Sequence, residues 1–121
     1  MLFDTTQLAL ERSIEGAGRR HQALAANLAN ANTPGYQRVD VDFHGALSSA
    51  LGDRDQRSSL ERTSFSATAD ASRGAVRADG GTVDVESESA MLAANALEHQ
   101  AAVQVAHARI GILKSAMGTG V

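Results

Sequence analysis

No cysteine occurs anywhere in this chain, which excludes disulfides, thiol nucleophiles and thiolate metal sites. Tryptophan is also absent, and aromatics make up only 3% of the 121 residues. Hydrophobic residues reach 43%, but many of them are alanine, which buries little area, so a thick self-sufficient core is beyond this composition. An excess of basic charge is lacking too. Eleven Lys and Arg face 14 Asp and Glu, a net charge of −3 that leaves no electrostatic footprint for nucleic acid. No run approaches the roughly 18 apolar residues that a membrane span needs. The opening MLFDTTQLALERSIEG has no basic n-region, so no cleaved secretory signal is expected. Proline occurs once, at Pro34.

What is present is helical periodicity. Asp4 is a good N-cap, Gln7 completes a capping-box pattern, and Phe3 and Leu8 have the spacing of a hydrophobic staple. Phe3, Gln7, Leu10, Ile14, Ala17, His21, Leu24, Leu28 and Ala31 then alternate by four and three, a heptad seam interrupted by polar side chains at Gln7 and His21. A helix of that length is on the order of 40 Å long. Pro34 ends it and pushes Thr33 to extended geometry, and Pro34-Gly35 suits the centre of a type II turn. Val39, Val41 and Phe43 alternate with Arg38, Asp40 and Asp42, as in a short strand or arm with one apolar face. Phe43, Leu47 and Leu51 share helical spacing and predict a short helix.

From Asp53 to about Ala78 no period is sustained, and the composition reads as a flexible insert. Asp79-Gly80-Gly81 marks a turn, and Thr82 to Val85 suits an extended segment. A second long helix is predicted from about Glu86 to Met117, with Glu86 and Glu88 favoured by the helix dipole at its start. Leu97, Ala101, Val105, Ala108 and Ile112 form one stripe along it, widened by Val103, Ile110, Leu113 and Met117. The fold class is therefore mainly α: two long terminal helices in a coiled-coil-like pair, with a short extended or β arm and a flexible middle segment. The chain divides into 1–43 (helix, turn and arm), 44–81 (short helix and insert) and 82–121 (second helix).

Little here supports chemistry. His99 and His107 stand eight apart, His21 and His44 lie in other segments, and no HExxH pair occurs. DGGTVDVESE lacks the ligand alternation of a calcium loop, and nothing resembles a nucleophile elbow or an ordered triad. No catalytic residue, metal, cofactor or small-molecule substrate is expected.

The specific string is NLANANTPGYQR, residues 27–38. Asn27, Asn30 and Asn32 are poor helix formers that can bond nearby backbone or a neighbouring subunit. Thr33, Pro34 and Gly35 stop the helix, and Tyr36, the single tyrosine, follows at once. The asparagines are read as fixing register between packed subunits, and Tyr36 as an amphipathic anchor.

ANLANANTPGYQ resembles the signature of the flagellar rod and hook proteins, the axial subunits of the bacterial flagellum. The wider likeness runs over RRHQALAANLANANTPGYQRVDVDF and over TVDVESESAMLAANALEHQAAVQVAHARIGILKSAM, in its VDxExE opening, Asn95, Leu97 and the closing Leu-Lys-Ser-Ala. SAMLAANALEHQAAVQ fits the proximal-rod branch better than its sister rod and hook subunits. Ser89 and His99 depart from the pattern, where a larger apolar residue and an aromatic are usual. The resemblance implies a structural subunit of the periplasmic rod, exported through the flagellar type III apparatus without a cleaved signal and required for motility. Its partners would be further copies of itself, other rod proteins, adaptor proteins between membrane ring and rod, and the export apparatus. The residues alone leave open a helical adaptor or export chaperone, or a different rod or hook subunit.

Overall fold

The computed structural model describes residues 4–70 and 80–118. The first helix, α1, spans Thr5–Ala29, and Asp4 caps it by accepting the Gln7 backbone N–H at 2.9 Å. The capping box closes on one side only, because the Gln7 carboxamide turns inward and its oxygen is buried without a partner. Phe3, and with it the predicted staple, lies outside the described residues.

The chain turns at Thr33-Pro34-Gly35-Tyr36. Tyr36 N–H donates to the Thr33 carbonyl at 3.1 Å, and Gly35 has φ +74°, the left-handed value a type II turn requires at its third residue. The arm then runs back along α1 and forms β1, Val39–Asp40. Helix α2 covers Phe43–Leu51, capped by Asp42, and lies on α1 where Gly16 leaves room. A Cβ on Gly16 would stand 2.6 Å from that of Phe43. Phe43 is fully buried there with Ala17, Ala23 and Val41, and the Phe65 ring meets it edge-on at 6.5 Å.

The segment read as a flexible insert is partly ordered. Asp55 caps a short helix, α3, at Gln56–Arg62, whose Leu60 is fully buried, and Arg12 of α1 donates to the Glu61 carbonyl at 2.6 Å. Thr68–Ala69 form β2, antiparallel to β1 with Val39 opposite Ala69. These elements are held by caps and by a few contacts to distant residues, which carry no periodic signal. The remainder of the predicted insert, residues 71–79, lies outside the described residues.

The last helix, α4, spans Val85–Gly118. It runs antiparallel to α1, since Asn27 meets Glu88, Ala17 meets Asn95 and Asp4 pairs with Arg109. The face turned to α1 repeats every seven residues, with Glu88, Asn95 and Ala106 buried and Leu92, Ala102 and Leu113 partly so. Two sequence expectations are corrected here. The stripe of Leu97, Ala101, Val105, Ala108 and Ile112 faces outward, with Leu97 and Ile112 each 69% exposed. His21 stands exposed at the edge of the α1 seam, while Gln7, Ala17, Leu24 and Ala31 of that seam are buried. The inner face is built of small and polar residues whose apolar periodicity is weak, so the outer stripe gave the stronger signal. Among the described residues no helix is long and apolar enough to cross a membrane.

Candidate functional site: a buried polar clamp at the turn

Asn27 sits at 0% exposure near the end of α1 and uses both ends of its carboxamide on the arm. Its Nδ2 donates to the Val39 carbonyl at 2.7 Å and its Oδ1 accepts the Val39 N–H at 2.9 Å. One side chain thus bonds β1 as a neighbouring strand would, on the edge away from β2. Nδ2 also reaches Glu88 Oε2 at 3.3 Å, and Tyr36 donates its hydroxyl to Asn27 Oδ1 at 3.2 Å. Every polar atom of this amide is therefore engaged within the chain.

The other residues of the motif differ in use. Asn30 ends α1, donating to the Ala26 carbonyl at 2.8 Å and accepting from Thr33 Oγ1 at 3.2 Å. Asn32, Thr33, Pro34 and Gly35 are exposed, and Tyr36 is half-buried. Burial, and after it the negative charge of Glu88, raises the Tyr36 hydroxyl above its ordinary pKa and keeps it a neutral donor.

Beside Asn27 lies a group that motif reading passed over. Arg38 is only 1% exposed and its guanidinium is ringed by carboxylates. Nε donates to Glu88 Oε1, Nη1 to Asp70 Oδ2 at 2.6 Å and Nη2 to Asp40 Oδ2 at 3.1 Å. Arg20 of α1 grips the far side of Asp40 at 2.9 Å. Glu88 is as deeply buried as Arg38, so its place in the first turn of α4 serves this ion pair more than the helix dipole. Burial by itself would lower the Arg38 pKa, but the hydrogen bonds it donates to Glu88 and Asp40 outweigh it and hold the guanidinium charged. For Asp40, burial pushes the pKa up, and hydrogen bonds from Arg20, the Val41 N–H and Arg38 bring it below the usual carboxylate value.

Backbone contacts bind the same corner. Arg38 N–H donates to Thr82 Oγ1 at 2.8 Å, Thr82 N–H to the Tyr36 carbonyl at 3.2 Å, and Asp70 N–H to the Arg38 carbonyl at 2.8 Å. Further along the pair, Asn95 Nδ2 donates to the Ala17 carbonyl at 2.8 Å while its oxygen stays buried and unpartnered. Alternating charge in RVDVD and the VDxExE opening were the available signals. Neither indicates which acid meets which base, because Arg38 and Glu88 are 50 residues apart.

Only two of the four histidines share a cavity. His44 pairs with Glu98 on the surface, and His21 and His99 line a cavity beside Gly18. Among the described residues, no three His, Asp or Glu side chains are placed to hold a metal ion.

An antiparallel helix pair with an arm tied back along it by Asn27 and Tyr36 of the signature is a helical packing unit. Comparison makes this particular. A family profile described as "Flagella basal body rod protein" matches residues 19–37, the stretch that ends in the asparagine turn. The flagellar basal body rod protein FlgB of Aeromonas hydrophila is 34% identical over 112 residues, covering 83% of each chain. FlgB of Cereibacter sphaeroides is 33% identical over 81% of this chain and 82% of its own. FlgB of Escherichia coli K12 is 27% identical over 84% of this chain and 85% of its own. The chain belongs to the flagellar basal body rod protein family.

Proposed function

We propose that this protein is a structural subunit of the proximal rod of the bacterial flagellar basal body, assembled with other rod components and required for motility. Family membership over most of the chain supports this. The observation that carries the mechanism is the Asn27 clamp. By bonding both backbone groups of Val39, it fixes the arm against the helix pair, so that turn, arm and α4 present one rigid surface. The assembly motif is Asn27, Asn30, Asn32, Thr33, Pro34, Gly35 and Tyr36. Its inner members hold the corner, and the exposed Asn32-Thr33-Pro34-Gly35 face meets neighbours. In this reading the protein's role is structural and not enzymatic, in keeping with relatives that are named as rod proteins. Its partners are further copies of itself, other rod proteins, ring–rod adaptor proteins and, on the way out, the export apparatus. It acts in the periplasmic rod, is exported without a cleaved signal, and binds no nucleic acid and no small-molecule substrate.

Replacing Pro34 and Gly35 together by alanine tests the reading. Helix becomes permissible past Asn32, and the positive φ at residue 35 costs an alanine about 1–2 kcal/mol. Export continues, since an exported chain is unfolded, but incorporation into isolated basal bodies and swimming are lost. Normal rods and normal swimming would reduce the turn to a helix stop.

A further inference from the structure

Met91 stands on α4 at the edge of the polar corner, three residues after Glu88, and its sulfur faces two cations. Arg38 Nη2 donates to Met91 Sδ at 3.4 Å, and Arg20 Nη2 approaches the same sulfur at 3.9 Å. Each of these nitrogens also donates to Asp40 Oδ2, at 3.1 Å from Arg38 and 3.3 Å from Arg20. A terminal guanidinium nitrogen carries two hydrogens, so on each arginine one points to carboxylate and the other to sulfur. The two acceptors are unequal, because a thioether accepts only weakly. Met91 is partly buried, so its side chain is held by the corner and still meets solvent.

We propose that Met91 is an oxidation site, at which a peroxide converts the thioether to a sulfoxide whose oxygen Arg20 and Arg38 hold. A sulfur lone pair attacks one oxygen of hydrogen peroxide, and the S–O bond forms as the O–O bond breaks. The proton of the transferred oxygen leaves with the departing hydroxide as water. Sulfur loses two electrons and the peroxide gains them. Methionine sulfoxide ordinarily disrupts packing, because it sets a polar group among apolar ones. At Met91 it meets two charged donors that otherwise end on sulfur. Hydrogen bonds from an ionised donor are about twice as strong as neutral ones. The unbranched side chain has three rotatable bonds, so the sulfur can draw back to make room for the oxygen. Oxidation therefore ties α4 more tightly to Arg20 of α1 and Arg38 of the arm, and the corner gains from a modification that loosens most cores.

The chain has three methionines, which makes the experiment specific. Met117, 64% exposed near the end of α4, serves as the internal comparison. Met117→Leu leaves Met91 and Met1 to react, and adding Met91→Leu leaves Met1 alone. The folded proteins are treated with hydrogen peroxide, and peptide mass mapping confirms one added oxygen on Met91. The melting temperature of Met117→Leu then rises by about 2–6 °C, while that of the double variant stays where it was. Arg20→Ala in the Met117→Leu background at least halves the rise. Met91→Gln, which supplies a carboxamide oxygen without any oxidation, melts above Met91→Leu. A fall or no change on oxidation of Met91 would overturn the proposal, as would a rise that survives Arg20→Ala undiminished. So would Met91 still unmodified in the wild-type chain long after Met117 is fully converted, or Met91→Gln melting below Met91→Leu.

Discussion

Glu88 and Leu97 lie nine residues apart on one helix, and their surroundings invert the usual rule. The carboxylate is sealed at 1% exposure while the leucine stands 69% exposed. At the turn end of the molecule, Arg38 and Asp40 of the arm cluster with Asp70 and Glu88, and Asn27 and Arg20 link the cluster to α1. Along the outer side of α4, an apolar ribbon lies exposed among the described residues. Burying charge is costly and is retained where geometry must be specified; leaving apolar surface exposed is costly and is retained where another molecule covers it. The polar end sets the shape of the subunit, and the apolar side is available for assembly.

The largest effect should come from breaking the polar end. Arg38→Ala leaves Glu88 buried without its cation, and removing one partner of a buried pair costs about 3–5 kcal/mol. Urea denaturation monitored by circular dichroism measures it, and a loss below ~1 kcal/mol would mean that water already screens this corner. Gly16→Ala comes next. Its Cβ would collide with that of Phe43, and over-packing of this kind costs about 1–3 kcal/mol. Gly18, two residues on, has nothing within 4 Å of an added Cβ, so Gly18→Ala should gain roughly 0.5–1 kcal/mol from helix propensity. Equal effects at the two glycines would contradict the seating of α2 on α1.

Acid should act on the same end more gently. Asp40 has a folded pKa below its unfolded value, so between the two the unfolded chain binds more protons. Its contribution is complete above pH of about 4, the ordinary aspartate value, and is lost as pH falls through the folded value. Asp40→Asn should flatten that part of the stability-versus-pH curve. The smallest effect is expected on the ribbon. Leu97→Ala should change monomer stability by no more than about 0.5 kcal/mol while weakening self-association measured by sedimentation. A large loss in the monomer would mean that the ribbon is covered within the chain.

Local rules carried much of this fold in the sequence itself. The Asp4 cap, the Thr33–Tyr36 turn, helix α2 and the two long helices all follow from capping, proline and glycine stereochemistry and 3.6-residue periodicity, which act over a few residues. Two features of the middle segment escaped, α3 and β2, because one is seven residues long and the other only two. Elements that short are stabilised by contacts outside themselves.

The clamp was half legible. The asparagine cluster drew attention as a string, and its position at the end of α1 is a matter of local sequence. Asn27 turning inward to hold Val39, Arg38 choosing Glu88 across 50 residues, and α4 packing by its polar face were decided only by tertiary structure. The reason is physical. Periodicity reports which residues share a face, but the face that is buried depends on what the partner offers. Here α1 and the arm offered hydrogen-bonding groups and little room, so the small and polar face of α4 went in and the larger apolar side chains remained outside.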